Sequence, residues 1–116
     1  MTQDALDEIV RTIESARRLE RTLNAALAED ALKADQWRVL HALAHSPGAL
    51  MGELAERLVI PAASLTRMVD ELADRGLLFR RPAPDDRRKA GVYLSRLGHE
   101  QLARASSIIS ARVPPA

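Results

Sequence analysis

The stretch MGELAERLVIPAASLTRMVDELADR, from Met51 to Arg75, constrains this chain more than any other part of it. Met51, Leu54, Ala55 and Leu58 recur at spacings of three and four, which lays one apolar stripe along a short helix. Glu53, Glu56 and Arg57 fall on its outer side. Pro61 ends the pattern, because it disfavours helical dihedrals at Ile60 while its own fixed φ suits the first turn of a new helix. A second stripe runs through Leu65, Met68, Val69 and Leu72, and Gly76 offers a left-handed stop. The expectation is two short helices joined by a tight turn.

On the second of these helices the stripe leaves Ala62, Ala63, Ser64, Thr66, Arg67 and Asp70 facing away from the core. Small, hydroxyl-bearing and basic side chains on the first two turns suit a DNA major groove, where a long apolar residue would clash. The same residues equally suit the solvated face of an ordinary helical hairpin. The distribution of charge bears on the choice. The chain carries a formal net charge of +1. Ala62 to Arg96 holds eight Arg or Lys against five Asp or Glu, a net of +3, and the remainder holds nine against eleven, a net of −2. A positive excess gathered around one helix and the hairpin after it fits a phosphate-binding face in a protein that must otherwise stay soluble.

A chain of 116 residues allows one domain, spanning 1–116, with a core that needs no staples. One Phe, one Trp and one Tyr make that core aliphatic and supply an aromatic cofactor cage poorly, so no cofactor is expected. The absence of cysteine excludes disulfides, thiolate metal sites and thiol redox sensing. No apolar run is long enough to span a membrane, and MTQDALDEIV lacks a basic region followed by an apolar one, so the expected location is the cytoplasm. No glycine-rich phosphate loop or carboxylate pair in a perturbing environment points to an enzyme.

Upstream, residues 3–29 read as one long helix with Leu6, Ile9, Ile13, Ala16, Leu23 and Leu27 on its stripe, widened by Val10 and Leu19. About 40 Å of helix is more than so small a domain can cover, so residues 1–30 are expected to pair with a second chain. Arg11, Arg17, Arg18 and Arg21 stand among Glu8, Glu14 and Glu20 as an ion-paired, solvated face. A second helix, Ala34 to His45, carries Trp37, Leu40, Leu43 and Ala44 on one side. His41 and His45 have a spacing that could hold a metal through two imidazoles, but two ligands are not a site and no metal is expected.

Beyond Gly76 the period changes. Leu77 to Arg81 and Gly91 to Ser95 have strand character, and Pro82, Pro84, Asp85 and Asp86 break the chain between them. This predicts a small β-hairpin with Arg87, Arg88 and Lys89 at its tip, packed on the helices through Leu78 and Leu94. Three cations there have no packing task and can reach a minor groove or a phosphate strand. A last helix, 97–113, carries Leu102, Ala105, Ile108 and Ile109.

Helix, helix, helix-turn-helix, basic hairpin and helix, in that order, give a mostly α fold with a small β-hairpin, a winged helix-turn-helix with its core at 34–96. From about Leu32 to Leu102 the wording closely resembles the MarR family of bacterial transcription regulators, above all in LTRMVDELADRGLLFRR and PDDRRKAGVYLS. The resemblance implies a homodimeric, sequence-specific regulator of double-stranded DNA, a ligand-responsive repressor. The family's Asp-x-Arg wing signature falls on Asp86 and Arg88. By the resemblance Arg88 enters the minor groove, Asp86 orients it or a recognition-helix arginine, and Ser64, Thr66 and Arg67 touch DNA. Small aromatic effectors in the family lie between the dimer helices and the DNA-binding lobe, a crevice that Arg17, Trp37 and His41 could line here. Three departures stand out. Pro61, Ala62 and Ala63 replace polar residues at the start of the recognition helix, which reduces base reading there to contact with thymine methyls. Met51 replaces a capping Ser or Thr, a loss of about 1 kcal/mol if nothing compensates. The C-terminal helix is shorter than the family's and lacks the helix that follows it, so dimerisation is expected to be weakened, rearranged, or left to the first helix and the stump of the last. A truncated chain would explain the same ending. The competing reading is a winged helix kept as a protein-interaction module that has lost ligand-regulated DNA binding.

Overall fold

The computed structural model describes residues 1–115. The order is α1 (Gln3–Leu27), a 3-10 turn (Ala28–Asp30), α2 (Ala34–His45), β1 (Ala49–Leu50), α3 (Met51–Leu58), α4 (Ala62–Asp74), β2 (Leu78–Pro82), β3 (Ala90–Leu94) and α5 (Arg96–Arg112). This is a winged helix, with α3 and α4 as the helix-turn-helix and β2 and β3 as the wing. The hairpin expected from sequence is part of a three-stranded antiparallel sheet in the order β1-β3-β2. Ala49 pairs with Val92 and Leu50 with Gly91, so β1 closes the free edge of β3. A strand of two residues has no alternation to read, which is why periodicity misses it.

The core is aliphatic. Leu27, Leu32, Val39, Leu40, Leu43, Leu54, Leu65, Val69, Leu72 and Val92 are fully buried where α2, α3, α4 and the sheet meet. The starts of α1 and α2 are capped by side chains. Thr2 accepts from the Ala5 N–H at 3.1 Å to start α1, and Asn24 accepts from Ala34 N–H at 2.7 Å to start α2. Leu50, not Met51, occupies the N-cap position of α3; it offers no side-chain cap, and only the reciprocal half of a capping box forms, the Glu53 carboxylate accepting the Leu50 N–H at 3.1 Å.

The first helix behaves differently from the rest. Only Leu23, Ala26 and Leu27 are buried in it, while Leu6, Ile9, Val10, Ile13 and Leu19 are 44–53% exposed. Its apolar stripe therefore continues beyond the part the domain covers. The charged side carries ion pairs Arg11–Glu8 at 3.0 Å and Arg18–Glu14 at 3.8 Å, both well exposed.

The turn between α3 and α4 is made at Val59 rather than by Pro61 alone. Val59 adopts φ 55° and ψ 49° at the C-cap of α3, and its N–H bonds back to Glu56 O at 3.3 Å. A β-branched side chain in the left-handed region is costly, and at 86% exposure Val59 gains no burial in return. Val59→Asn should raise stability by about 1 kcal/mol, read as a higher denaturant midpoint with an unchanged slope.

Candidate nucleic-acid interface

Helix α4 is fixed from behind. Leu65, Val69 and Leu72 plug its inner face into the core. At its far end the Arg75 guanidinium donates to the carbonyls of Ala31 at 2.8 Å and Asp30 at 3.3 Å. Midway, Gln36, almost fully buried on α2, donates to the Glu71 carboxylate at 3.3 Å. These contacts leave Ala62, Ala63, Thr66, Arg67 and Asp70 exposed, while Ser64 is half-buried. The Thr66 hydroxyl donates to Ala62 O at 3.0 Å, so its proton is used within the helix and only its lone pairs and methyl group face outward. Ser64 and Arg67 flank a cleft of about 270 Å³ whose other walls include Glu20, Lys33 and Glu71.

The wing tip is an ordered turn. Ala83, buried, donates its N–H to Lys89 O at 2.9 Å, and Lys89 N–H donates to Asp86 O at 3.0 Å. Inside it the Asp86 carboxylate accepts from Arg88 three times: from the backbone N–H at 3.0 Å, from Nε at 3.1 Å and from a terminal guanidinium nitrogen at 3.2 Å. The Arg88 side chain is nonetheless 90% exposed. It is a cation displayed to solvent in a defined pose. Arg87 and Lys89 are also exposed, and among the described residues they form no ion pair.

Arg88 beside it, through the guanidinium first and the backbone N–H second, holds the Asp86 carboxyl below the ordinary carboxylate value. Since the folded-state value is the lowered one, the clasp is complete above the ordinary carboxylate pKa and is lost as pH falls through the lowered value. In an NMR titration the Asp86 carboxyl should move back up toward the ordinary value in Arg88→Ala; no movement would separate the two residues.

Wing and helix are joined by a contact that sequence reasoning did not find. In β2 the residues Leu78, Arg80 and Pro82 share one face, and Leu78 is buried against the helices. Arg80 therefore points toward α4, where its guanidinium forms an ion pair with Asp70. Asp70 lies on the exposed row Ala62, Thr66, Asp70, so the wing strand rises beside that row. The strand's alternation carried the signal, since it put Arg80 on the Leu78 side. On the opposite face of the sheet Phe79 stacks on Tyr93 with centroids 5.5 Å apart, and Arg81 lies 5.1 Å above the Phe79 ring.

Arg17, Trp37 and His41 are less closely associated. Trp37 donates its indole N–H to Ser106 of α5 at 3.2 Å and stacks obliquely on His41 at 5.3 Å, with His45 another 4.6 Å along. Arg17 is exposed on α1. Two adjoining clefts between α1, α2 and α4, about 270 and 970 Å³, are lined in common by Glu20, Asn24, Lys33, Gln36 and Glu71, and the three residues stand outside them. Among the described residues no group of three His, Cys, Asp or Glu is placed to hold a metal, and no helix is long and apolar enough to cross a membrane.

The sequence profile of the MarR family matches residues 32–89. The homoprotocatechuate degradative operon repressor of Escherichia coli is 33% identical over 78 residues, 67% of this chain and 53% of the repressor. The chain thus spans about half the length of most of the curated relatives it matches. Among solved structures, the transcriptional repressor CouR bound to a 23-mer DNA duplex is similar with a TM-score of 0.82 and 30% identity, covering 97% of this chain and 80% of that one. A mutant MarR from Escherichia coli complexed with operator DNA is similar with a TM-score of 0.79 and 26% identity, covering 90% and 74%.

Proposed function

Because this chain belongs to the MarR family, we propose that it is a sequence-specific, double-stranded DNA-binding transcription regulator that acts as a repressor. Helix α4 lies in a major groove, presenting Ala62, Ala63, Ser64, Thr66 and Arg67, and the wing places Arg88 in the adjacent minor groove with Arg87 and Lys89 on phosphates. The single observation that carries this reading is the Asp70–Arg80 bridge. It marks how near the wing strand lies to the exposed side of α4, so that one duplex can meet both. Ala62 and Ala63 read thymine methyls, and Arg67 is the side chain equipped to read guanine in two hydrogen bonds.

In this reading the 1–30 segment pairs with a second copy through the exposed stripe of Leu6, Ile9, Val10 and Ile13, helped by α5. The dimer reads half-sites about one helical turn apart. A small aromatic effector acts in the clefts between α1 and the winged-helix core, against Glu20, Asn24, Lys33 and Gln36 rather than Arg17, Trp37 and His41, and releases DNA by changing the spacing of the two recognition helices.

Fluorescence anisotropy on a short random-sequence duplex tests the reading. Affinity should fall steeply between about 50 and 200 mM salt, whereas a protein-interaction module would show no such dependence. On a sequence selected for tight binding, Arg67→Ala should lose about 1 to 3 kcal/mol of discrimination at one base pair while its random-sequence affinity changes little.

A further inference from the structure

Asp70 is the first acidic side chain on the exposed row that runs through Ala62 and Thr66, one turn nearer than Asp74 to the residues proposed to meet DNA. A carboxylate there repels phosphate, and its partner is half exposed like itself: the Arg80 side chain is 34% accessible and that of Asp70 55%. An ion pair so open to water contributes little to stability, so a structural role does not account for its position. What the geometry does fix is Arg80. The pairing of Arg80 with Val92 in the sheet anchors its stem, and its place beside Leu78 aims it into the angle between wing and helix. A cation held in that angle would meet a phosphate of any duplex, whatever its sequence.

We propose that Asp70 is a specificity-determining residue that masks Arg80. By neutralising it, Asp70 removes one sequence-blind phosphate contact per chain and leaves the first two turns of α4 to supply a larger share of the binding energy. The proposal rests on the DNA-binding reading above. Non-specific affinity comes from counterions released when phosphates are neutralised, and a cation already paired within the protein releases none.

Asp70→Asn keeps an oxygen that can accept from Arg80 but removes the charge, which separates masking from bracing. Wild type, Asp70→Asn, Arg80→Ala and the double variant are titrated on a random-sequence duplex between about 50 and 200 mM salt. Asp70→Asn should bind random DNA more tightly. Its log–log salt slope should be steeper by about 0.9 per chain, so that it loses about threefold more affinity over that range. The double variant should return to the wild-type slope, and the preference for a selected sequence over random DNA should fall in Asp70→Asn. Asp70→Ser makes the same charge change should the amide disturb the helix. A wild-type slope in Asp70→Asn overturns the proposal, as does a steeper slope that persists in the double variant, or a uniform loss of binding that marks the pair as a brace. If wild type itself shows no salt-dependent binding, the functional reading fails and takes the proposal with it.

Discussion

Replacing Arg87, Arg88 and Lys89 together by alanine is expected to remove most of the DNA affinity while leaving the fold unchanged. Two fewer phosphate-neutralising charges, Arg87 and Lys89, lower the salt slope by about 1.8 per chain, so the affinity lost between about 50 and 200 mM salt shrinks about 12-fold per chain, and the loss of Arg88 from the minor groove lowers affinity further. The fold should tolerate the change, because the tip is held by main-chain bonds. Ala83 N–H to Lys89 O, Lys89 N–H to Asp86 O and Arg88 N–H to the Asp86 carboxylate all survive in the variant. Circular dichroism and a thermal midpoint close to wild type, beside a flattened salt dependence, are the expected pair of results. A variant that binds with the wild-type slope would move the phosphate contacts away from the wing.

The largest effect on stability is expected at Gly98, in the first turn of α5. A Cβ there would stand 1.9 Å from the backbone carbonyl oxygen of Leu77. That carbonyl cannot swing aside, since it accepts the Ser95 N–H at 3.0 Å and belongs to the turn that links α4 to the sheet. The Ser95 hydroxyl binds the same joint, donating to Gly76 O at 2.6 Å and accepting from Gly98 N–H at 2.9 Å. Gly98→Ala must therefore lift the start of α5 from the sheet, at a cost of about 3 kcal/mol or more. Urea unfolding reads it directly; a loss below about 1 kcal/mol would mean that the helix shifts freely.

These two sites also mark what local pattern could and could not reveal. The apolar spacing of Met51 to Leu58 coincides with a helix, because a single face of it touches the core and its period survives in the chain; Ala34 to His45 is also a helix, but the core covers Val39 and Ala42 besides the expected Leu40 and Leu43. Asp86 and Arg88, two residues apart, meet within one turn, and proximity in sequence makes such a pairing readable. Gly98 carries no local signal, since the carbonyl it must clear, that of Leu77, comes from the other end of the wing. Asp70 and Arg80 meet only once α4 and β2 have packed, and Val59 has its left-handed backbone imposed by the need to turn between α3 and Ile60, which is buried. The third strand stayed hidden because Ala49 and Leu50 are too few to alternate. The clefts beside Glu20 and Gln36 likewise arise from three helices brought together, and no spacing along any one of them announces it.

The most direct measurement is selection of bound duplexes from a randomised pool, followed by sequencing. Enrichment of a two-fold symmetric sequence, its half-sites about 10 base pairs apart, is the predicted result, with Arg67→Ala relaxing one position in each half. Recovery of the starting pool with no enriched sequence would contradict the claim that α4 and the wing together read DNA.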